Sequence, residues 1–128
     1  MILYPLETLR KAGITEVLVV SGKDHYGKFV EFLGSGKDFG ADFTYRVQDE
    51  AGGIAEALNL AKDYFKNEDK VVVILGDNIF KESVKPTGDG CGLVLTNVND
   101  PNRFGIFSEG KIIEKPRDPK YKIIRNYT

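Results

Sequence analysis

Three features of this 128-residue sequence predict an α/β domain of the Rossmann-like class. Continuous apolar runs such as Glu16-Val17-Leu18-Val19-Val20 and Val71-Val72-Val73-Ile74-Leu75 read as strands of a parallel sheet with both faces covered. Between the runs lie segments whose apolar residues recur at helical spacing, and glycines mark the junctions. Helices alternating with apolar strands build a parallel sheet through right-handed crossovers.

The elements follow in order. Pro5 stands where a first helical turn tolerates it, Leu6, Leu9 and Ala12 share one face, and Gly13 is placed to end the helix. The strand Glu16–Val20 stops at Ser21-Gly22. Phe29, Val30, Phe32 and Leu33 predict a second helix after Asp24, stopped by Gly34-Ser35-Gly36. Phe43 to Gln48 is the second strand. Ile54, Ala57, Leu58, Ala61, Tyr64 and Phe65 predict a third, amphipathic helix. Lys70 to Leu75 is the third strand, ending in Gly76-Asp77-Asn78. Beyond Phe80, Gly92 to Val98, Gly105 to Phe107 and Lys111 to Lys115 read as further strands, the last two joined by a turn at Glu109-Gly110.

Composition narrows the function classes. A chain of this length is one domain, residues 1–128, and buries roughly two thirds of its extended-state surface. The formal net charge of −1 implies no basic face for nucleic acid. No apolar run approaches membrane-spanning length, and the N-terminus carries no basic leader, so a cytoplasmic protein with no membrane partner is expected. With one cysteine, Cys91, and one histidine, His25, an intrachain disulfide and a Cys/His metal cluster are both excluded. Any metal must sit on oxygen ligands.

In open α/β sheets ligands bind at the carboxyl ends of the strands, where two unusual polar stretches stand, Gln48 to Gly53 and Gly76-Asp77-Asn78. Asp77 either caps the next turn or holds Mg²⁺, which keeps waters for a substrate's phosphates. Gly52-Gly53 forms a tight turn, or lets a ring or phosphate approach backbone N–H groups at a helix start. Gln48 is a solvated strand-end amide, or reads the edge of a nucleobase. Gly88-Asp89-Gly90-Cys91-Gly92 precedes a strand instead of opening a helix, so it reads as a turn and not a phosphate loop. Glu114-Lys115-Pro116 ends a strand with two opposite charges, an arrangement common on surfaces. His25 reads as solvated, and Cys91 as a small turn or core residue.

Taken together, Tyr4-Pro5-Leu6-Glu7-Thr8-Leu9-Arg10-Lys11-Ala12-Gly13-Ile14, Leu33-Gly34-Ser35-Gly36, Tyr45-Arg46-Val47-Gln48-Asp49-Glu50-Ala51-Gly52-Gly53-Ile54-Ala55, Leu75-Gly76-Asp77-Asn78, Asp100-Pro101-Asn102-Arg103-Phe104-Gly105 and Glu114-Lys115-Pro116 resemble the sugar nucleotidylyltransferases, glucose-1-phosphate thymidylyltransferases above all. The resemblance implies a three-layer α/β/α mixed sheet. It also implies a reaction in which a nucleoside triphosphate, dTTP or UTP, and a sugar 1-phosphate, glucose 1-phosphate, yield a nucleotide sugar and pyrophosphate. Mg²⁺ and cationic side chains meet the charge that develops on the α-phosphate. By resemblance Gln48 recognises the base, Gly52 and Gly53 border the nucleotide, and Asp77 is a nucleotide-site carboxylate that holds Mg²⁺. Phe104, Gly105 and Glu114 resemble sugar-contacting positions, and Lys115 resembles one that meets the sugar's phosphate.

The departures carry expectations of their own. The family's first strand, its Gly-Gly-x-Gly-Thr-Arg-Leu loop and the lysine that follows have no counterpart in this sequence. The connection from Phe80 to Cys91 is short, the tail Lys122 to Thr128 is unlike the family's next strand, and a second metal-binding aspartate is missing. The chain therefore reads as a partial nucleotidyltransferase domain, truncated at both ends and inactive in isolation, that forms a homo-oligomer or takes a complementing chain. The alternatives are a non-catalytic nucleotide or sugar-nucleotide binding module and a non-functional gene fragment. Gln48, Gly53 and Asp77 are expected to converge on one cleft.

Overall fold

The computed structural model describes residues 1–50, 52–66, 69–81, 90, 92, 93, 95, 97, 98, 100–103, 105–108 and 110–114. The chain divides into two compact units, Met1–Pro86 and Thr87–Thr128.

The first unit opens with α1, Leu3–Lys11. Pro5 lies in its first turn, where its missing N–H costs nothing because the first backbone donors of a helix have no internal acceptor. The helix ends in a Schellman motif. Gly13, at φ 79°, donates to the Arg10 carbonyl (3.0 Å), and Ile14 donates to the Leu9 carbonyl (3.0 Å). These bonds satisfy carbonyls that a helix end leaves orphaned and turn the chain into β1, Glu16–Gly22.

The helix α2, Lys23–Leu33, starts directly from β1, with Asp24 in its first turn near the positive helix end. Its Phe29 and Leu33, four residues apart, face the core, whereas Val30 and Phe32 fall off that face and are exposed. A 3₁₀ turn, Lys37–Phe39, then leads into β2, Asp42–Gln48, which lies parallel to β1 from Glu16 opposite Asp42 to Gly22 opposite Gln48. The register sets Val17 beside Phe43 and Val19 beside Tyr45, and these four pack around the buried Leu6 and Leu33. The Tyr45 hydroxyl donates to the Gly34 carbonyl, tying β2 to the end of α2, and burial, followed by the nearby Tyr26, raises its pKa.

The third helix, α3, spans Gly53–Ala61. It is shorter than the sequence pattern predicts, because the Tyr64 N–H bonds the Ala61 carbonyl (2.9 Å) in a tightened turn and Tyr64 and Phe65 lie beyond it. The strand expected over Lys70 to Leu75 does not form among the described residues. A strand exists only as part of a ladder, no described residue supplies a ladder partner to this segment, and Val71, Val73 and Leu75 are exposed. β1, expected to be buried on both faces, is half-buried through its middle.

In the second unit a 3₁₀ turn, Pro101–Arg103, precedes an antiparallel hairpin of β3, Gly105–Ser108, and β4, Lys111–Glu114. Ser108 pairs with Lys111, so the connection has two residues, and Gly110 supplies the positive φ (77°) that such a turn requires. Ile106, on β3, is buried, 1% exposed. The strand predicted over Gly92 to Val98 falls partly outside the described residues, and those that are described there make no strand. Cys91 lies outside them, while Gly90 has φ 103°, in keeping with a turn at that point. No described helix is long and apolar enough to cross a membrane.

Candidate functional site

The parallel pairing brings the carboxyl ends of β1 and β2 level, with Gly22 opposite Gln48. Along β2, Phe43, Tyr45 and Val47 share the parity that faces the core, so Gln48 leaves the sheet on the other face. It is held there. Its Nε2 donates to the Gly53 carbonyl (3.2 Å) and to Oε2 of Glu56 (2.7 Å). Both partners are pure acceptors, so the amide must turn its NH₂ toward them, which leaves the carbonyl oxygen Oε1 as its remaining recognition atom.

The two glycines have separate causes. Gly53 opens α3 at φ 82°, a conformation L side chains rarely adopt, and a Cβ built there meets no atom within 4 Å. Gly52 has an ordinary φ of −78°, but a Cβ on it would come within 1.9 Å of Oε2 of Glu56. Its bare backbone leaves room for the carboxylate that holds Gln48. Sequence reading does not single out Glu56, although a glutamate in the first turn of a helix after a strand-end amide is the available signal.

Asp77 is exposed, on a turn in which the Asn78 N–H bonds the Leu75 carbonyl (3.0 Å). The adjacent Gly76 lies against Ile2, with 3.4 Å between the Ile2 Cδ1 and a Cβ placed on the glycine. Gln48, Gly52 and Gly53 are brought together, whereas no described hydrogen bond joins Asp77 to them. No group of three or more His, Cys, Asp or Glu residues gathers around a potential metal position among the described residues. A single accessible carboxylate suits Mg²⁺ held chiefly by phosphates and water, and does not suit a cage built from protein alone.

In the second unit, Gly105 and Glu114 are directly opposed partners across the hairpin. Two positions nine apart in sequence thus become neighbours, and the residue opposite Glu114 has no side chain. Phe104 and Lys115 lie outside the described residues. His25 is exposed.

A groove of about 490 Å³ lies between α1, at Leu3, Leu6, Glu7 and Arg10, and the turn at Asp38, Phe39 and Gly40. It contains none of the candidate residues. Its main charges neutralise each other: Arg10 Nε and Nη2 both bond the Glu7 carboxylate at 2.8 Å. Those bonds hold the Glu7 pKa down to about 2.

Comparison with known proteins decides the family. A family model described as nucleotidyl transferase matches residues 1–127. This chain belongs to the nucleotidyl transferase family. Among its nucleotidyl transferase relatives is the low-salt glycan biosynthesis nucleotidyltransferase of Haloferax volcanii, 40% identical over 129 residues, which cover 91% of this chain and 36% of the relative. The glucose-1-phosphate thymidylyltransferase of Neisseria meningitidis serogroup A is 36% identical over 135 residues, covering 94% of this chain and 46% of that enzyme. Among solved structures, one assigned as a glucose-1-phosphate thymidylyltransferase from Bacillus anthracis, in complex with a sucrose, superposes with a TM-score of 0.83 at 44% identity. That match covers 94% of this chain and 54% of the other. The nucleotidyl transferase chain spans about half, or less, of the length of these relatives. Its α/β architecture with a parallel sheet is the Rossmann-like nucleotidyltransferase fold of that structural neighbour.

Proposed function

We propose that this chain carries base- and sugar-recognition elements of a sugar nucleotidyltransferase, one that joins dTTP or UTP to glucose 1-phosphate with release of pyrophosphate. The observation that carries the reading is the fixed amide of Gln48 at the carboxyl end of β2, beside the open space over Gly53. An Oε1 acceptor suits the N3–H of thymine or uracil, and it opposes the unprotonated N3 of cytosine. Gly52 and Gly53 border the nucleotide. Asp77 holds Mg²⁺, whose chemistry when bound is to neutralise phosphate charge. Gly105, Glu114 and Phe104 contact the sugar, and Lys115 meets the sugar's phosphate. The names of the thymidylyltransferase relatives support the substrate classes.

Titration of the isotopically labelled chain with UTP and with ATP, in Mg²⁺, tests the reading. UTP is expected to shift the amide resonances of Gln48, Gly53 and Asp77 with clear preference over ATP, and Gln48→Ala to weaken UTP binding about tenfold. Equal binding of the two nucleotides, or UTP binding indifferent to Gln48→Ala, refutes it.

A further inference from the structure

The two bonds from Gln48 do more than anchor a side chain. An amide terminus is nearly symmetric in shape, and an unrestrained glutamine presents either its oxygen or its NH₂ to a ligand. Here the half-buried Glu56 carboxylate accepts from Nε2 at 2.7 Å, while the Gly53 carbonyl accepts at 3.2 Å. The charged acceptor makes the shorter and stronger of the two bonds. We infer that Glu56 is a positioning residue for base selection: it locks the Gln48 amide with its oxygen outward, so that the site accepts bases offering a ring N–H and rejects those offering a bare ring nitrogen.

The inference rests on the base-binding reading of Gln48, and the bare backbone of Gly52 is part of the same arrangement. Gly52 leaves the space that the Glu56 carboxylate occupies, since a Cβ there would stand 1.9 Å from Oε2 and 2.7 Å from the carboxyl carbon. The backbone at Gly52 has φ −78° and ψ 7°, which any residue accepts, so backbone geometry does not demand a glycine. A Cβ at Gly52 would push the end of the flexible Glu56 side chain away from Gln48. A plainer role for Glu56, as a first-turn acid favoured by the helix dipole, depends only on its charge. The lock depends on an acceptor atom, and the two part company at Glu56→Gln.

The test compares UTP and CTP binding to the full 128-residue chain and three variants, with far-UV circular dichroism confirming a folded chain. In Glu56→Ala and in Gly52→Ala, the UTP-over-CTP affinity ratio is expected to fall about fivefold, the effect of one hydrogen bond's orientation. Glu56→Gln keeps an acceptor toward Nε2 and is expected to hold the ratio within about twofold while losing the charge. An unchanged ratio in Glu56→Ala overturns the inference. So does an equal loss in Glu56→Gln, which assigns the effect to charge. The side-chain NH₂ resonances of Gln48 in the nucleotide-free chain give a second readout. They are expected to move in Glu56→Ala and Gly52→Ala and to stay near their original positions in Glu56→Gln. If they do not move in Glu56→Ala, the lock is absent whatever the nucleotides do. If they move while Gln48→Ala leaves UTP affinity intact, the lock stands as structure but base selection through it is overturned, together with the base-binding reading.

Discussion

At the scale of single residues, glycines in this chain divide into those that need a backbone conformation and those that also need the space. Gly40, at φ 67°, would place a Cβ with nothing within 4 Å of it, so asparagine, which tolerates the left-handed region, is expected there at little cost. Gly36 is different: at φ 91° its Cβ would stand 2.6 Å from the Ala41 carbonyl oxygen and 2.9 Å from Cγ of the buried Phe43. Its own carbonyl accepts from both Phe39 (2.9 Å) and Ala41 (3.1 Å), so the loop cannot shift without breaking those bonds. Gly36→Ala is expected to destabilise the chain by on the order of 2 kcal/mol or more, and Gly40→Asn by a small fraction of that. Urea denaturation of the two variants measures the difference, and comparable midpoints for both would contradict the packing account. The sequence marks Gly36 as part of a helix stop but does not show that it also needs the space, because the clash involves the segment that follows. The contact of Gln48 with Glu56 is hidden for the same reason. It spans eight residues and exists only once the turn over Gly52 and Gly53 has formed.

At the scale of elements, the ones legible in the sequence are those whose signals are local. α1 has its proline at the start and its Schellman glycine at the end, and β2 has its alternation, with Phe43 and Tyr45 toward the core. The run Val71 to Leu75 is as apolar as any strand, yet apolar character does not supply a hydrogen-bonding neighbour, and none of the described residues provides one. The result is exposed apolar surface, with Val71 at 43%, Val73 at 52% and Leu75 at 42%. β1 for its part pairs on one edge only among the described residues, and its sequence EVLVVSG places no lysine or proline along that edge. Edges and patches of this kind favour association between chains. Light scattering is therefore expected to give an apparent mass that rises with concentration, and Val73→Lys, which charges the most exposed of the three positions, is expected to reduce that rise without altering the far-UV spectrum. A mass that stays at the monomer value throughout the concentration range sinks this expectation.

At the scale of the whole molecule, membership of the family and the ability to catalyse are separate matters, and different residues bear on each. The base recognition proposed for this chain needs a few fixed atoms, and in the first unit the Gln48 amide is fixed against the Gly53 carbonyl and Glu56. Nucleotidyl transfer needs more, because attack by the sugar phosphate oxygen builds negative charge on the α-phosphate and that charge must meet preorganised cations and backbone donors. The sequence holds no Gly-Gly-x-Gly-Thr-Arg-Leu stretch to cradle the triphosphate, and Asp77 is the one carboxylate for which a metal-holding role is proposed by resemblance. Loss of one preorganised donor costs about 10²–10³ in rate, and losses of several together leave little catalysis to measure. The 128-residue chain, assayed alone with UTP or dTTP, glucose 1-phosphate and Mg²⁺, is expected to release no pyrophosphate above the level of its Asp77→Asn variant, even at concentrations where it binds UTP. Addition of a separate polypeptide bearing the glycine-rich loop is the complementary arm. If such a segment restores turnover, and Asp77→Asn or Gln48→Ala then reduces it, recognition and chemistry are divisible in this fold. Turnover by the chain alone that Asp77→Asn abolishes would mean that its own residues stabilise the α-phosphate charge, and the assignment of base recognition without catalysis would fall.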